Sequence, residues 1–221
     1  MSVAANIKRV KDALPVNVSL VAVSKFHAVE TLREAYDAGQ RIFGESRAQE
    51  LKVKHQALPN DIEWHFIGQL QSNKVKDIAP FISMIHSIDS LKLLEEVNKQ
   101  AAKNGRVINV LLEIHVAKEE TKTGLSPDEC KAMLATDNYK NLSHIRICGL
   151  MAMASFTDNT SLIQKEFSEV RQLFSELKES FFAVDDSFSV ISMGMSSDYE
   201  LAIAEGSTMV RVGSSIFGGR S

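Results

Sequence analysis

Lys25 closes the apolar run Leu20-Val-Ala-Val-Ser-Lys25 and is the first residue in this chain whose setting suggests chemistry. An amine held at the end of such a run, against apolar walls, has a lowered pKa and can condense with a carbonyl to a Schiff base. A lysine that merely reaches solvent from a strand end is the alternative for this position taken alone. Two small-residue segments suggest anion binding: Ser192-Met-Gly-Met-Ser-Ser-Asp198 and Val212-Gly-Ser-Ser-Ile-Phe-Gly218. In the first, Ser197 and Glu200 have capping-box spacing, which would open a helix with amides and the hydroxyls of Ser196 and Ser197 directed at an anion. The second, with Gly213 and Ser214, adds a matching turn, and ordinary caps are the alternative for each. Arg211 stands inside Met-Val-Arg-Val-Gly, where a charge needs a partner. Glu45 or Glu113 could supply an ion pair; a ligand atom, such as a ring nitrogen, could equally meet it.

Other chemistry-bearing residues read more simply. His65, His86 and His115 sit on runs that could converge, so a three-strand zinc site is an alternative, but no carboxylate or cysteine joins them in a recognisable spacing. His65 and His86 are better read as hydrogen-bonding near a ligand or within the lumen. Cys148 lies mid-run among apolar residues as an inert buried thiol. Met151, Met153, Met193 and Met195 read as packing.

The elements that must position these groups are eight short apolar runs: 20–25, 41–45, 63–68, 84–89, 107–116, 145–153, 188–194 and 209–213. Stretches with apolar residues at intervals of three and four separate them, clearest at Ile163, Phe167, Val170, Phe174 and Leu177 and at Leu91, Leu94, Val97 and Ala101. Gly39, Gly105 and Gly206 stand where helices should end, and Ser126-Pro-Asp-Glu129 is a capping box with Pro at the first helical position. Strands alternating with helices imply right-handed crossovers and a parallel sheet buried on both faces. Eight units predict one domain over 1–221, a closed α/β (β/α)8 TIM barrel rather than an open doubly wound sheet, whose first βα turn would be Gly-rich. An extra N-terminal helix, with Ile7, Val10 and Leu14 on one face, is expected to plug or flank the barrel bottom. In such barrels the strand carboxyl ends carry the chemistry, which is where Lys25, Ser46, His65, Ser196, Arg211 and Gly213 fall.

Composition removes other classes. The chain is 44% hydrophobic and 24% charged, with 25 basic and 28 acidic residues and a formal net charge of −3. No basic stripe marks it for nucleic acid or an acidic membrane surface. The longest apolar stretch, 107–116, is far short of the roughly 20 residues of a membrane span and carries Glu113 and His115. The amino terminus lacks a signal-peptide core, so a cytoplasmic location is expected. Cys130 and Cys148 suggest neither a disulfide framework nor a metal pair.

An imine-forming lysine, a phosphate cup and an arginine between them describe a site for pyridoxal 5′-phosphate. The chain also resembles the YggS/PROSC family of pyridoxal phosphate homeostasis proteins, whose fold is similar to the N-terminal barrel of alanine racemase. The resemblance spans nearly the whole chain and rests on VAVSK (21–25), FGESRAQE (43–50), WHFIGQLQSNK (64–74), HSID (86–89), GLMAM (149–153), SMGMSSD (192–198) and GSTMVRVGSSIFG (206–218). It implies that Lys25 is the imine lysine, that Arg211 partners the pyridine nitrogen, and that Ser196, Gly213 and Ser214 bind the phosphate. The family commonly has Asn where Ser46 stands; the shorter side chain needs a water to reach the same ring atom.

Two uses of this cofactor follow, and one other class. The first is a non-catalytic carrier that holds the cofactor on Lys25 and releases it to apoenzymes, expected to be a monomer. The second is an amino-acid racemase, which needs a second proton carrier opposite the lysine. Racemases draw it, a tyrosine, from a separate C-terminal domain, for which 221 residues leave no room; of Tyr36, Tyr139 and Tyr199, only Tyr199 is placed to substitute. The third is an aldolase-type barrel enzyme acting on a phosphorylated metabolite. Arg211 beside the pyridine nitrogen disfavours its protonation and weakens the ring as an electron sink, making decarboxylation and transamination less apt than racemisation.

Overall fold

The computed structural model describes residues 2–117 and 123–219. All eight apolar runs form strands: β1 (Ser19–Val23), β2 (Ile42–Glu45), β3 (Glu63–Phe66), β4 (Met84–Ile88), β5 (Ile108–Ile114), β6 (Ile145–Ala152), β7 (Val190–Ser192) and β8 (Met209–Val212). They close in chain order into a parallel barrel, sealed where Ser19–Ala22 of β1 pairs with Met209–Val212 of β8. Several strands stop short of the runs that predicted them: residues 24–25, 67–68, 193–194 and 213 lie beyond the strand ends, at the mouth. Backbone bonds to the neighbouring strand continue there, from the Ser24, Ile67 and Met193 amides to the Gly44, Glu45 and Met209 carbonyls.

Period-two alternation divides each strand between two apolar layers. One face points to the helices and carries Ala22, Phe43, Trp64, Phe66, Ile85, Val110 and Leu112. The other fills the lumen with Val21, Met84, Leu111, Cys148, Met151 and Met209, so the barrel is packed and not a pore. Outside lie α1 (Val3–Ala13), α2 (Val29–Asp37), α3 (Ala48–Ala57), α4 (Val75–Ile78), α5 (Leu91–Lys103), α6 (Pro127–Ala135), α7 (Asp137–Lys140), α8 (Thr160–Phe181), α9 (Tyr199–Ala204) and α10 (Ser214–Phe217). The capping box at Ser126 and Glu129 forms as read. Gly206 ends its helix at φ +94°, where a Cβ would also meet Arg171.

The leading helix flanks the barrel and does not plug it. The helix after β8, α10, is a single turn, too short to cover its sector, and α1 lies against α10 and α2 in the outer ring. Asn6 Nδ2 donates to the Ile216 carbonyl at 2.9 Å, Arg9 to the Ser215 carbonyl at 3.1 Å, and Lys11 to the Gly39 carbonyl at 3.1 Å. Ile7 and Val10 are buried beneath it, each worth about 1.5–3 kcal/mol of removed apolar surface.

Candidate functional site

A cavity of about 420 Å³ opens at the carboxyl ends of the strands, within the usual range for small-molecule sites. Lys25, Ser46, Ser196, Ser197, Arg211, Gly213 and Ser214 line it, so seven of the eight residues singled out by sequence meet there. His65 does not. Val23, Phe26, His27, Ile67, Met153, Phe156, Met195 and Gly218 complete the wall. Met153 and Met195 therefore border the cavity as well as pack, whereas Met151 belongs to the lumen core and Met193 to the outer core. None of the three tyrosines lines it.

Each of the side chains singled out by sequence is delivered by a local device. Lys25 sits half-buried just past β1, and the next residue, Phe26, turns the chain at φ +69°, a left-handed conformation uncommon outside glycine. Ser46 follows β2 and packs beneath Gly68, where a Cβ would come within 2.7 Å of the Ser46 carbonyl oxygen. The loops after β7 and β8 are tied together by the Gly213 amide, which donates to Ser196 Oγ at 3.2 Å. The capping box expected between Ser197 and Glu200 does not form. The helix begins at Tyr199 with Asp198 at its N-cap, and Asp198 Oδ1 folds back to accept from the Met195 amide at 2.6 Å. The short loop satisfies its own amide and leaves Ser197 exposed at the cavity rim.

Arg211 enters from β8 and is only 4% exposed. Its Nη1 donates to Ser192 O and Ser192 Oγ, both at 2.7 Å, and its Nη2 to the Ala152 carbonyl at 3.0 Å. Neither expected ion pair is made. Glu45 lies outside the barrel wall, bonded to Lys54 at 2.7 Å, and Glu113 accepts from Thr123 Oγ1 at 2.9 Å. Burial lowers the Arg211 pKa to about 10, against the charges of Asp198 and Glu113, so the guanidinium stays charged near neutrality.

Behind Arg211 a hydrogen-bonded chain runs into the lumen. His86 Nδ1 lies 3.1 Å from Ser192 Oγ, and His86 Nε2 lies 3.0 Å from His65 Nδ1. Burial holds the His65 pKa down to about 3, and burial together with the charges of His65 and Arg211 holds His86 well below its ordinary value. Both rings are neutral near pH 7. His65 thus reaches the cavity only through His86, Ser192 and Arg211. Ser192 opens the Ser192–Asp198 segment weighed for anion binding, but its tie to Arg211 is what sequence reasoning missed; its signal was its place at the end of the β7 run. Among the described residues no group of three His, Cys, Asp or Glu side chains could hold a metal ion, and no helix is long and apolar enough to cross a membrane.

Residues 1–221 match the family profile described as alanine racemase, N-terminal domain. A pyridoxal phosphate homeostasis protein of Aquifex aeolicus is 39% identical over 202 residues, covering 91% of this chain and 86% of that protein. One from Schizosaccharomyces pombe is 44% identical over 206 residues, covering 92% and 85%. The structure of PipY from Synechococcus elongatus with pyridoxal phosphate bound superposes with a TM-score of 0.88 at 36% identity, over 98% of this chain and all of that one. With these identities extending over nearly its full length, the chain belongs to the pyridoxal phosphate homeostasis protein family, built on the barrel of the alanine racemase N-terminal domain.

Proposed function

We propose that this protein binds pyridoxal 5′-phosphate at the barrel mouth, holds it as a Schiff base on Lys25, and serves cytoplasmic homeostasis of the cofactor by delivering it to apoenzymes. The observation that carries this is the meeting of Lys25, Arg211 and the serines at 196, 197 and 214 in one cavity, where Lys25 is the one lysine among the described residues lining it. The donor set fits the group. Serine hydroxyls and the first-turn amides at residues 214–215 suit a phosphate, and Arg211 suits an aromatic nitrogen acceptor. Lys25 supplies an amine that condenses with the aldehyde, releasing one water. The neutral histidines behind Arg211 fix its aim without adding charge. Gly213 contributes close approach, since its amide is already taken by Ser196 and a Cβ there would crowd Val23. Ser46 contacts the ring side through water.

The protein acts as a non-catalytic, monomeric carrier. The homologues are named as homeostasis proteins, and a charged Arg211 next to the ring nitrogen weakens the electron sink that decarboxylation and transamination require. A racemase would also need a proton carrier facing Lys25, and Tyr36, Tyr139 and Tyr199 all lie off the cavity wall. Pyridoxal phosphate added to the purified protein should give a visible imine band, and borohydride should fix the cofactor to Lys25. Lys25→Ala should abolish the band while retaining part of the phosphate-dependent affinity. A preparation that stays colourless overturns the binding reading, and sustained deuterium exchange at the α-carbon of free amino acids overturns the non-catalytic one.

A further inference from the structure

Outside the barrel wall, Lys54 of α3 is buried with its charge. Its side chain is 4% exposed and that of its partner Glu45 is 0% exposed. Lys54 Nζ donates to Glu45 Oε1, Glu50 Oε1 and the Ser24 carbonyl, each at 2.7 Å, which uses all three ammonium protons. Two further bonds return to the turn after β1: Ser24 Oγ donates to Glu45 Oε1 at 2.6 Å, and the Phe26 amide donates to Glu50 Oε1 at 2.7 Å. The carbonyl before Lys25 and the amide after it are therefore held by one ion cluster. Lys25 lies between these anchors, and Phe26, whose amide is the second of them, has φ +69°, a conformation that persists only where its surroundings over-determine it. The arrangement has a desolvation cost, because Glu45 Oε2 is buried with no hydrogen-bond partner. Packing alone would have been met by an apolar side chain at 54.

We infer that Lys54, with Glu45 and Glu50, is the positioning unit for Lys25, clamping the turn on both sides so that the amine is presented to the cavity. Lys54 does not line the cavity; it holds the Ser24 carbonyl directly and the Phe26 amide through Glu50, while its charge also adds to burial in lowering the pKa of His27 on the cavity wall. This rests on the reading of Lys25 as the imine lysine.

The test separates imine formation from phosphate binding. Two ligands are titrated into the ligand-free protein: pyridoxal 5′-phosphate, which forms an imine, and pyridoxine 5′-phosphate, which lacks the aldehyde. Glu50→Ala removes the acceptor of the Phe26 amide at a side chain that is 22% exposed, and so is tolerated by the fold more readily than Lys54→Met. Each variant should weaken imine formation about tenfold, the size of one charge-assisted hydrogen bond. Affinity for pyridoxine 5′-phosphate should stay within about twofold. Glu50→Gln, which keeps an acceptor for Phe26, should recover most of the imine, and amide exchange at Phe26 should accelerate in Glu50→Ala. Wild-type imine formation in Glu50→Ala, parallel loss of both ligands, or unchanged Phe26 exchange overturns the inference. Failure of the underlying reading appears separately, in the wild-type protein, as borohydride labelling of a lysine other than Lys25.

Discussion

Ser192→Ala removes the one hydroxyl that joins Arg211 to the lumen histidines. Ser192 is fully buried, and its Oγ accepts from Arg211 Nη1 at 2.7 Å and lies 3.1 Å from His86 Nδ1. Losing a hydrogen bond to a charged group costs about 1.5–3 kcal/mol, and leaving a buried ring nitrogen unpaired costs roughly 1–3 kcal/mol. Arg211 keeps its bonds to the carbonyls of Ser192 and Ala152, so the two losses do not add fully, and the net is about 2–4 kcal/mol. For a domain of this size that lowers Tm by about 6–12 °C. Differential scanning calorimetry on the ligand-free protein reads it, with denaturant titration as a second measure. A Tm within about 2 °C of wild type would mean that the chain from Arg211 to His65 carries no energy, and the account of how Arg211 is aimed would be wrong.

Three other predictions concern the same structure. His65 has a folded pKa of about 3 and His86 one far below its ordinary 6.5, so the unfolded chain binds more protons than the folded one as pH falls through 6.5. Their contribution is therefore fully present above pH 6.5 and is lost on acidification towards pH 3; His86→Gln should flatten the slope of unfolding free energy between pH 6 and 5 by about 1.4 kcal/mol per pH unit, and an unchanged slope refutes the assignment. Ile7→Ala should destabilise the protein by about 2–5 kcal/mol in denaturant titration if α1 is an integral member of the helix ring; a loss below about 1 kcal/mol would make α1 peripheral. Gly68→Ala places a Cβ 2.7 Å from Ser46 backbone oxygen and should cost about 1–3 kcal/mol, together with weaker pyridoxal phosphate binding measured by the visible band; unaltered stability and binding would show that Ser46 moves freely.

Much of this was legible in one dimension because a parallel barrel converts chain order into position. Apolar runs punctuated by helices at this length leave few closed solutions, and every strand's carboxyl end then faces the same mouth. Lys25, Ser46, Ser196, Arg211, Gly213 and Ser214 could therefore be placed together without any contact being known. Residue types alone suggested an imine-forming amine and an anion cup beside other readings, and the resemblance to a family supplied the individual roles.

What the tertiary structure decided was partnership and depth. Arg211 meets carbonyls and a serine and neither of the expected carboxylates, because β2 turns Glu45 outward to the helix layer while Ser192 of β7 faces the lumen beside it. His65 shares a strand end with cavity residues, yet strand tilt and stagger set it below them, one His and one Ser away from Arg211. Lys54 stands four residues after Glu50 within Glu50-Leu-Lys-Val-Lys54, a spacing that in sequence reads as a solvated surface pair. Only packing of α3 against the wall buries it beneath the Lys25 turn. The extra helix was visible, but its place was not, since the short α10 creates the gap that α1 fills. Periodicity reports how a segment is buried, while which groups meet there depends on barrel closure, a property of all eight strands together.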